Sequence, residues 1–157
     1  MAIKLKSEVS MAIAENIYGA RLKVFIHFEG TLQDLGSKIG SGLEIPALRY
    51  EEREDEPYDW VGYVEVLGFE LELRSVQHSE KWPNFQYVLE AMTTDSIQEI
   101  FNDRMFDISL WMARYISLIC EVTTLAESLD KQTGQSFYYN KTTLSRDCRI
   151  IEAGSCL

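Results

Sequence analysis

The chain has 157 residues, 46% apolar and 25% charged, which is the size and composition of one globular domain with enough apolar surface for its own core. Two large domains and global disorder are excluded. Its 25 acids against 15 bases give a formal net charge of −10, which excludes direct nucleic-acid binding through a phosphate backbone and points to a basic or strongly polarised partner.

Ser7 can cap a helix over 8–18, in which Val9, Ile13 and Ile17 share one face and Gly19 supplies the stop. Residues 20–28 then alternate. Leu22, Val24, Ile26 and Phe28 point one way and Arg21, Lys23, Phe25 and His27 the other, which predicts a strand with one buried face. Gly30-Thr31 opens a short amphipathic helix with Leu32, Leu35 and Ile39 on one stripe and Asp34 at the acid position of a capping box. Gly36 inside it costs about 1 kcal/mol.

From 40 to 59 the periodicity is lost, and Pro46 and Pro57 frame the charged run 50–56, so an exposed loop is expected. Residues 60–66 and 69–76 have period 2 and meet at Leu67-Gly68. They predict a hairpin with Val64, Val66, Phe69, Leu71 and Leu73 inward and Glu65, Glu70 and Glu72 in water. Residues 85–92 read as a further strand, with Phe85, Tyr87, Leu89 and Ala91 on one face.

Thr94 and Asp95 can cap a helix over 96–102, and Asp107 a longer one through Leu129. In the longer helix Ile108, Met112, Tyr115, Ile119 and Val122 recur at helical spacing, and Trp111, Leu118 and Leu125 extend the same face. Its β-branched residues leave a strand open as the alternative for 107–130. Gly134 closes it, and short strands are expected at 136–139 and 148–152. The pattern describes a single α+β domain over 1–157, a mainly antiparallel sheet with helices packed against it.

Chemistry-bearing motifs are sparse. Cys120, Cys148 and Cys156 have neither CxxC nor Cys/His spacing, as suits a reducing compartment. There is no signal-peptide core, and the apolar stretch 108–122 falls short of the ~20 residues of a membrane span. A cytoplasmic protein without membrane association is expected. His27 and Glu29 share a strand face and could begin a metal site, but a zinc site needs three or four convergent ligands. His27 is therefore read as a sheet-surface imidazole, and His78 stands alone. The glycines of 36–42 come at a helix end, in the wrong order for a phosphate loop. No cofactor, metal or catalytic residue is assigned, and the chain is read as a non-enzyme. The aromatic residues Trp60, Tyr63, Trp82, Tyr87 and Trp111 are read as mostly core, with Tyr58 and Trp60 beside the polar loop.

The charge is uneven. Residues 44–72 hold ten acids and two bases, a net of −8, whereas the other 128 residues hold fifteen acids and thirteen bases. Like charges held together destabilise a fold, which favours a compensating partner, although charge can also simply keep an edge strand soluble. The expected partner-binding residues are Glu51, Glu52, Glu54, Asp55, Glu56, Tyr58, Asp59, Trp60, Glu70 and Glu72. Calcium binding is a poorer fit, because the acids lack EF-hand spacing. The remaining alternative is a small cytosolic enzyme or metal-binding protein using surface carboxylates.

The acidic α+β chain, with the stretch 59–73 running DWVGYVEVLGFELEL, resembles bacterial immunity proteins of contact-dependent growth inhibition and related polymorphic toxin systems. The resemblance covers roughly residues 20–92. It implies an inhibitor without catalysis that binds a cognate toxin domain, often a nuclease, over its active site or an adjacent surface.

Overall fold

The alternation around residues 20–28 becomes the strand on which the sheet is built. In a computed structural model of the chain, residues 19–53, 60–76, 81–94, 105–127, 136–139 and 149–151 are described. β1 (Gly19–His27) is followed by α1 (Leu32–Leu43), β2 (Arg49–Glu52), the hairpin β3 (Trp60–Val66) and β4 (Phe69–Ser75), and β5 (Tyr87–Thr93). Next come β6 (Met105–Asp107), α2 (Ser109–Cys120), β7 (Thr123–Glu127), β8 (Ser136–Tyr139) and β9 (Arg149–Ile151). The strands form one sheet in the order β2-β3-β4-β5-β1-β7-β8-β9. β6 lies parallel beside the first residues of β1, and every other pairing is antiparallel. The α+β architecture expected from the sequence is thus present.

Both helices pack on one face of this sheet. Leu22, Val24 and Ile26 of β1, Leu71 and Leu73 of β4, and Leu89 of β5 meet Leu35 and Ile39 of α1 and Ala113 and Ile116 of α2 in the main core. The expected helix after Gly30 runs to Leu43, and its N-terminus carries the full capping box. The Asp34 amide donates to Thr31 Oγ1 at 3.1 Å, while Asp34 Oδ2 accepts from the Thr31 amide at 3.2 Å. The Thr31 hydroxyl, which also donates to Asp34 Oδ2 at 2.7 Å, and after it the Thr31 amide hold the Asp34 carboxyl below its ordinary value. The box therefore stabilises α1 above that ordinary value, about pH 4, and the contribution fades as pH falls through the lowered one. Thr31→Ala is expected to cost about 1 kcal/mol, read from the urea midpoint at neutral pH, with the deficit shrinking towards pH 3.

Three expectations are corrected. First, the loop expected over 40–59 contains β2, which pairs with β3 from Arg49↔Tyr63 to Glu52↔Trp60. Tyr50 makes this strand: its ring lies over Gly62 and its hydroxyl end reaches Gly36 on α1, and a side chain at either glycine would strike it. Gly36, costly for a helix taken alone, is required by this contact.

Second, the helix expected over 107–129 ends at Cys120. Glu121 takes a left-handed conformation with φ 52°, and the β-branched run Val122-Thr123-Thr124 enters β7, where extended backbone suits it. The Thr124 hydroxyl, fully buried, donates back to the Ala113 carbonyl at 2.8 Å, and Ser117 Oγ donates to the Val122 carbonyl at 2.7 Å.

Third, the face of α2 that meets the sheet is made of Ser109, Ala113, Ile116, Ser117 and Cys120. These mostly small residues admit close approach, and the large apolar ones, Trp111, Tyr115 and Leu118, point outward. Trp111, expected in the core, is 63% exposed. The expected helices over 8–18 and 96–102 lie outside the described residues.

Candidate functional site

Strand alternation places the side chains opposite the helices on a second, open face, whose rows follow from the register. One row runs Arg49, Tyr63, Glu72, Glu90, Lys23 across β2, β3, β4, β5 and β1. The next row towards the Leu67-Gly68 turn reads Glu65, Glu70, Met92, Arg21, and the next row away from it Glu51, Val61, Arg74, Val88, Phe25. The last row is apolar at its β1 end. There Phe25 and Val88 join Leu125, Trp82 and Phe85 in a second buried cluster, which the loop 81–86 helps to cover. The open part of the face is therefore the end nearer the turn.

Much of the acidic charge on this face is locally matched. Arg53 reaches Glu72 at 2.9 Å, and Glu90 is held by both Lys23 at 2.8 Å and Arg74 at 2.9 Å. Such exposed pairs contribute about 0–1 kcal/mol each. The Tyr63 hydroxyl donates to Glu51 Oε1 at 2.7 Å, and this bond, ahead of burial, raises the Tyr63 pKa. Glu65 and Glu70 are different. They stand directly opposite each other, and among the described residues neither has a cation within salt-bridge distance. Directly opposed like charges destabilise a sheet by a few tenths of a kcal/mol to about 1.

The turn beside them is well defined. Leu67 and Gly68 both have positive φ, 51° and 77°, the conformation of a two-residue hairpin turn whose twist matches its strands. Thr94 ties this turn to the end of β5, its amide donating to the Gly68 carbonyl at 2.9 Å. Leu67 projects from it with 93% exposure.

Of the expected binding residues, Glu51, Glu70 and Glu72 come together on the open face, and Glu65 joins them. Glu52 and Trp60 form a cross-strand pair whose register puts them on the other face, the one that carries the helices, at the β2 edge. Glu54, Asp55, Glu56, Tyr58 and Asp59 lie outside the described residues. The sequence reading passed over Arg53, Arg74, Glu90 and Lys23 as neighbours of the acids. Period-2 alternation puts Lys23, Arg74 and Glu90 on outward faces and leaves Arg53 in the expected loop, but only the register shows which strands are adjacent.

Two reactive side chains are committed elsewhere. His27 Nδ1 lies 2.8 Å from the Asn84 carbonyl, and a carbonyl only accepts, so this nitrogen carries the proton. Cys120 is buried, and that burial pushes its thiol up to about 11, far from a thiolate at neutral pH. Among the described residues no three His, Cys, Asp or Glu side chains gather as metal ligands, and no helix is long and apolar enough to cross a membrane.

No protein-family model, curated protein or solved structure matches this chain. The candidate site accordingly rests on its own geometry: a tight hairpin end with an exposed leucine, an opposed acidic pair, and further acids held in register behind them.

Proposed function

We propose that the chain is a cytoplasmic immunity or inhibitor protein, which binds and neutralises a cognate toxin domain, a basic nuclease, through its acidic loop and hairpin surface. The observation that carries this reading is the Glu65–Glu70 pair, a like-charge contact kept at a cost to stability next to an exposed leucine. A positive surface, such as the phosphate-binding cleft of a nuclease, would remove that repulsion on docking. Opposed potentials would also accelerate encounter. The resemblance of the segment around 59–73 to immunity proteins points the same way. Among the described residues no observation favours the carboxylate enzyme or metal-binding alternative.

The test is co-expression with the C-terminal domain of a toxin-like protein encoded beside this gene, scored as growth rescue and a 1:1 complex. Absence of both defeats the reading. Glu70→Lys should separate function from folding. It turns the opposed pair into an attractive one, so stability should rise by a few tenths of a kcal/mol to about 1. Glu70→Lys should weaken the complex, the lysine substitutions of Glu51, Glu54 and Asp55 together should weaken it at least tenfold, mainly through slower association, and the wild-type association rate should fall as salt is added. Unchanged affinity in both variants would remove the acidic surface from the interface.

A further inference from the structure

The outward face of α2 is the largest apolar feature among the described residues that the acidic site does not use. Leu110, Trp111, Tyr115 and Leu118 are 39%, 63%, 41% and 52% exposed; Trp111, Tyr115 and Leu118 lie opposite the buried Ala113, Ile116 and Cys120, with Leu110 at the margin of the same stripe. Trp111 and Tyr115 stack flat on each other, with centroids 5.7 Å apart and planes at 1°. This rigid aromatic plate loses little side-chain entropy on docking. The stripe contains no acid. Its one charge, Arg114, lies at the middle, in a chain whose net charge is −10.

We infer that this face is an interface between two copies of the chain, packed as an antiparallel α2–α2 pair about a two-fold axis near Arg114. The stripe is complementary to itself under that operation. Leu110 and Leu118 are equidistant from Arg114 in sequence, so each leucine of one copy meets the other leucine of its partner, as an isologous contact requires. The two Arg114 side chains approach each other at the axis, so each guanidinium must turn aside onto the facing Trp111–Tyr115 plate, an attraction aromatic faces offer to cations. Burying the four apolar side chains, the Arg114 stem and the exposed Phe106 just before the helix removes roughly 500 Å² per copy, about 1,000 Å² in all, the lower bound of specific interfaces. A weak, reversible dimer follows. The rest of the molecule opposes it through like charge, so added salt should strengthen this association, opposite in sign to its effect on a basic partner.

The experiment is sedimentation equilibrium of the full chain from about 1 to 500 µM, at low and at moderate salt. The expected mass rises from 18.1 kDa towards twice that value, with the transition at lower concentration in higher salt. Leu118→Glu and Trp111→Glu, each at a solvent-facing position, should leave the circular dichroism unchanged and shift the transition at least tenfold upward in concentration. A wild-type chain that stays monomeric throughout overturns the inference, whether residues 1–18 or another protein covers the stripe. A dimer that survives both substitutions overturns it as well, by placing the contact elsewhere.

Discussion

Leu89→Ala is expected to lower the free energy of unfolding by about 2–5 kcal/mol, a large part of the 5–15 kcal/mol a domain of this kind possesses. Leu89 is 1% exposed at the middle of β5. Its cross-strand neighbours on either side are Val24 of β1 and Leu73 of β4, both fully buried. Alanine there forfeits the transfer energy of the lost carbons and leaves a cavity. The site cannot readily collapse, because β5 is hydrogen-bonded to a strand on each side and the two helices rest on the same core. Urea denaturation monitored by circular dichroism should show a lower midpoint with an unchanged slope. Met92→Ala, three residues along the strand and 47% exposed, should stay within about 0.5 kcal/mol. A Leu89→Ala cost near that of Met92→Ala would contradict the burial described for this strand.

Trp82→Ala should cost about 3–5 kcal/mol, although Trp82 belongs to neither a helix nor a strand. It is 8% exposed and fills the small cluster with Phe25, Phe85, Val88 and Leu125. Its indole Nε1–H donates to Glu127 Oε1, and the same oxygen accepts from Lys81 at 2.7 Å. Removal therefore combines a cavity with loss of a charge-assisted hydrogen bond. Trp82→Phe should retain most of the packing and cost about 1–3 kcal/mol, mainly for the missing donor. Thermal unfolding of the two variants separates the contributions. If they are equally destabilised, the hydrogen bond outweighs the ring, and the cluster is less important than its burial implies.

Regular alternation made much of the sheet legible in the sequence. β1 and the β3–β4 hairpin lie where period 2 put them, because each is long enough for side-chain parity to dominate. The capping box of α1 was equally clear, since its two partners are three residues apart. β2 was hidden because four residues with charged positions resemble a loop, and its reason to be a strand lies in two glycines distant in sequence. α2 was misjudged through its large residues. The sheet accepts the small face because a close helix needs Ala113 and Ser117 more than it needs bulk, and no periodicity of apolar residues reports that preference. The acidic pair of the candidate site could be foreseen as soon as the hairpin was paired. Its cationic neighbours required the order of strands.

Tyr50 holds more than the edge of the sheet. Its ring fits only where two glycines, one on α1 and one on β3, leave room for it, so it acts as a key that permits a single alignment of β2. A slip by one residue would turn Tyr50 to the open face and set the Glu51 carboxylate against the glycine slot, reversing which acids a partner meets. The inventory of negative charge would be unchanged, and its address lost. The geometry of recognition at this edge is thus stored in an aromatic ring that no partner would need to touch.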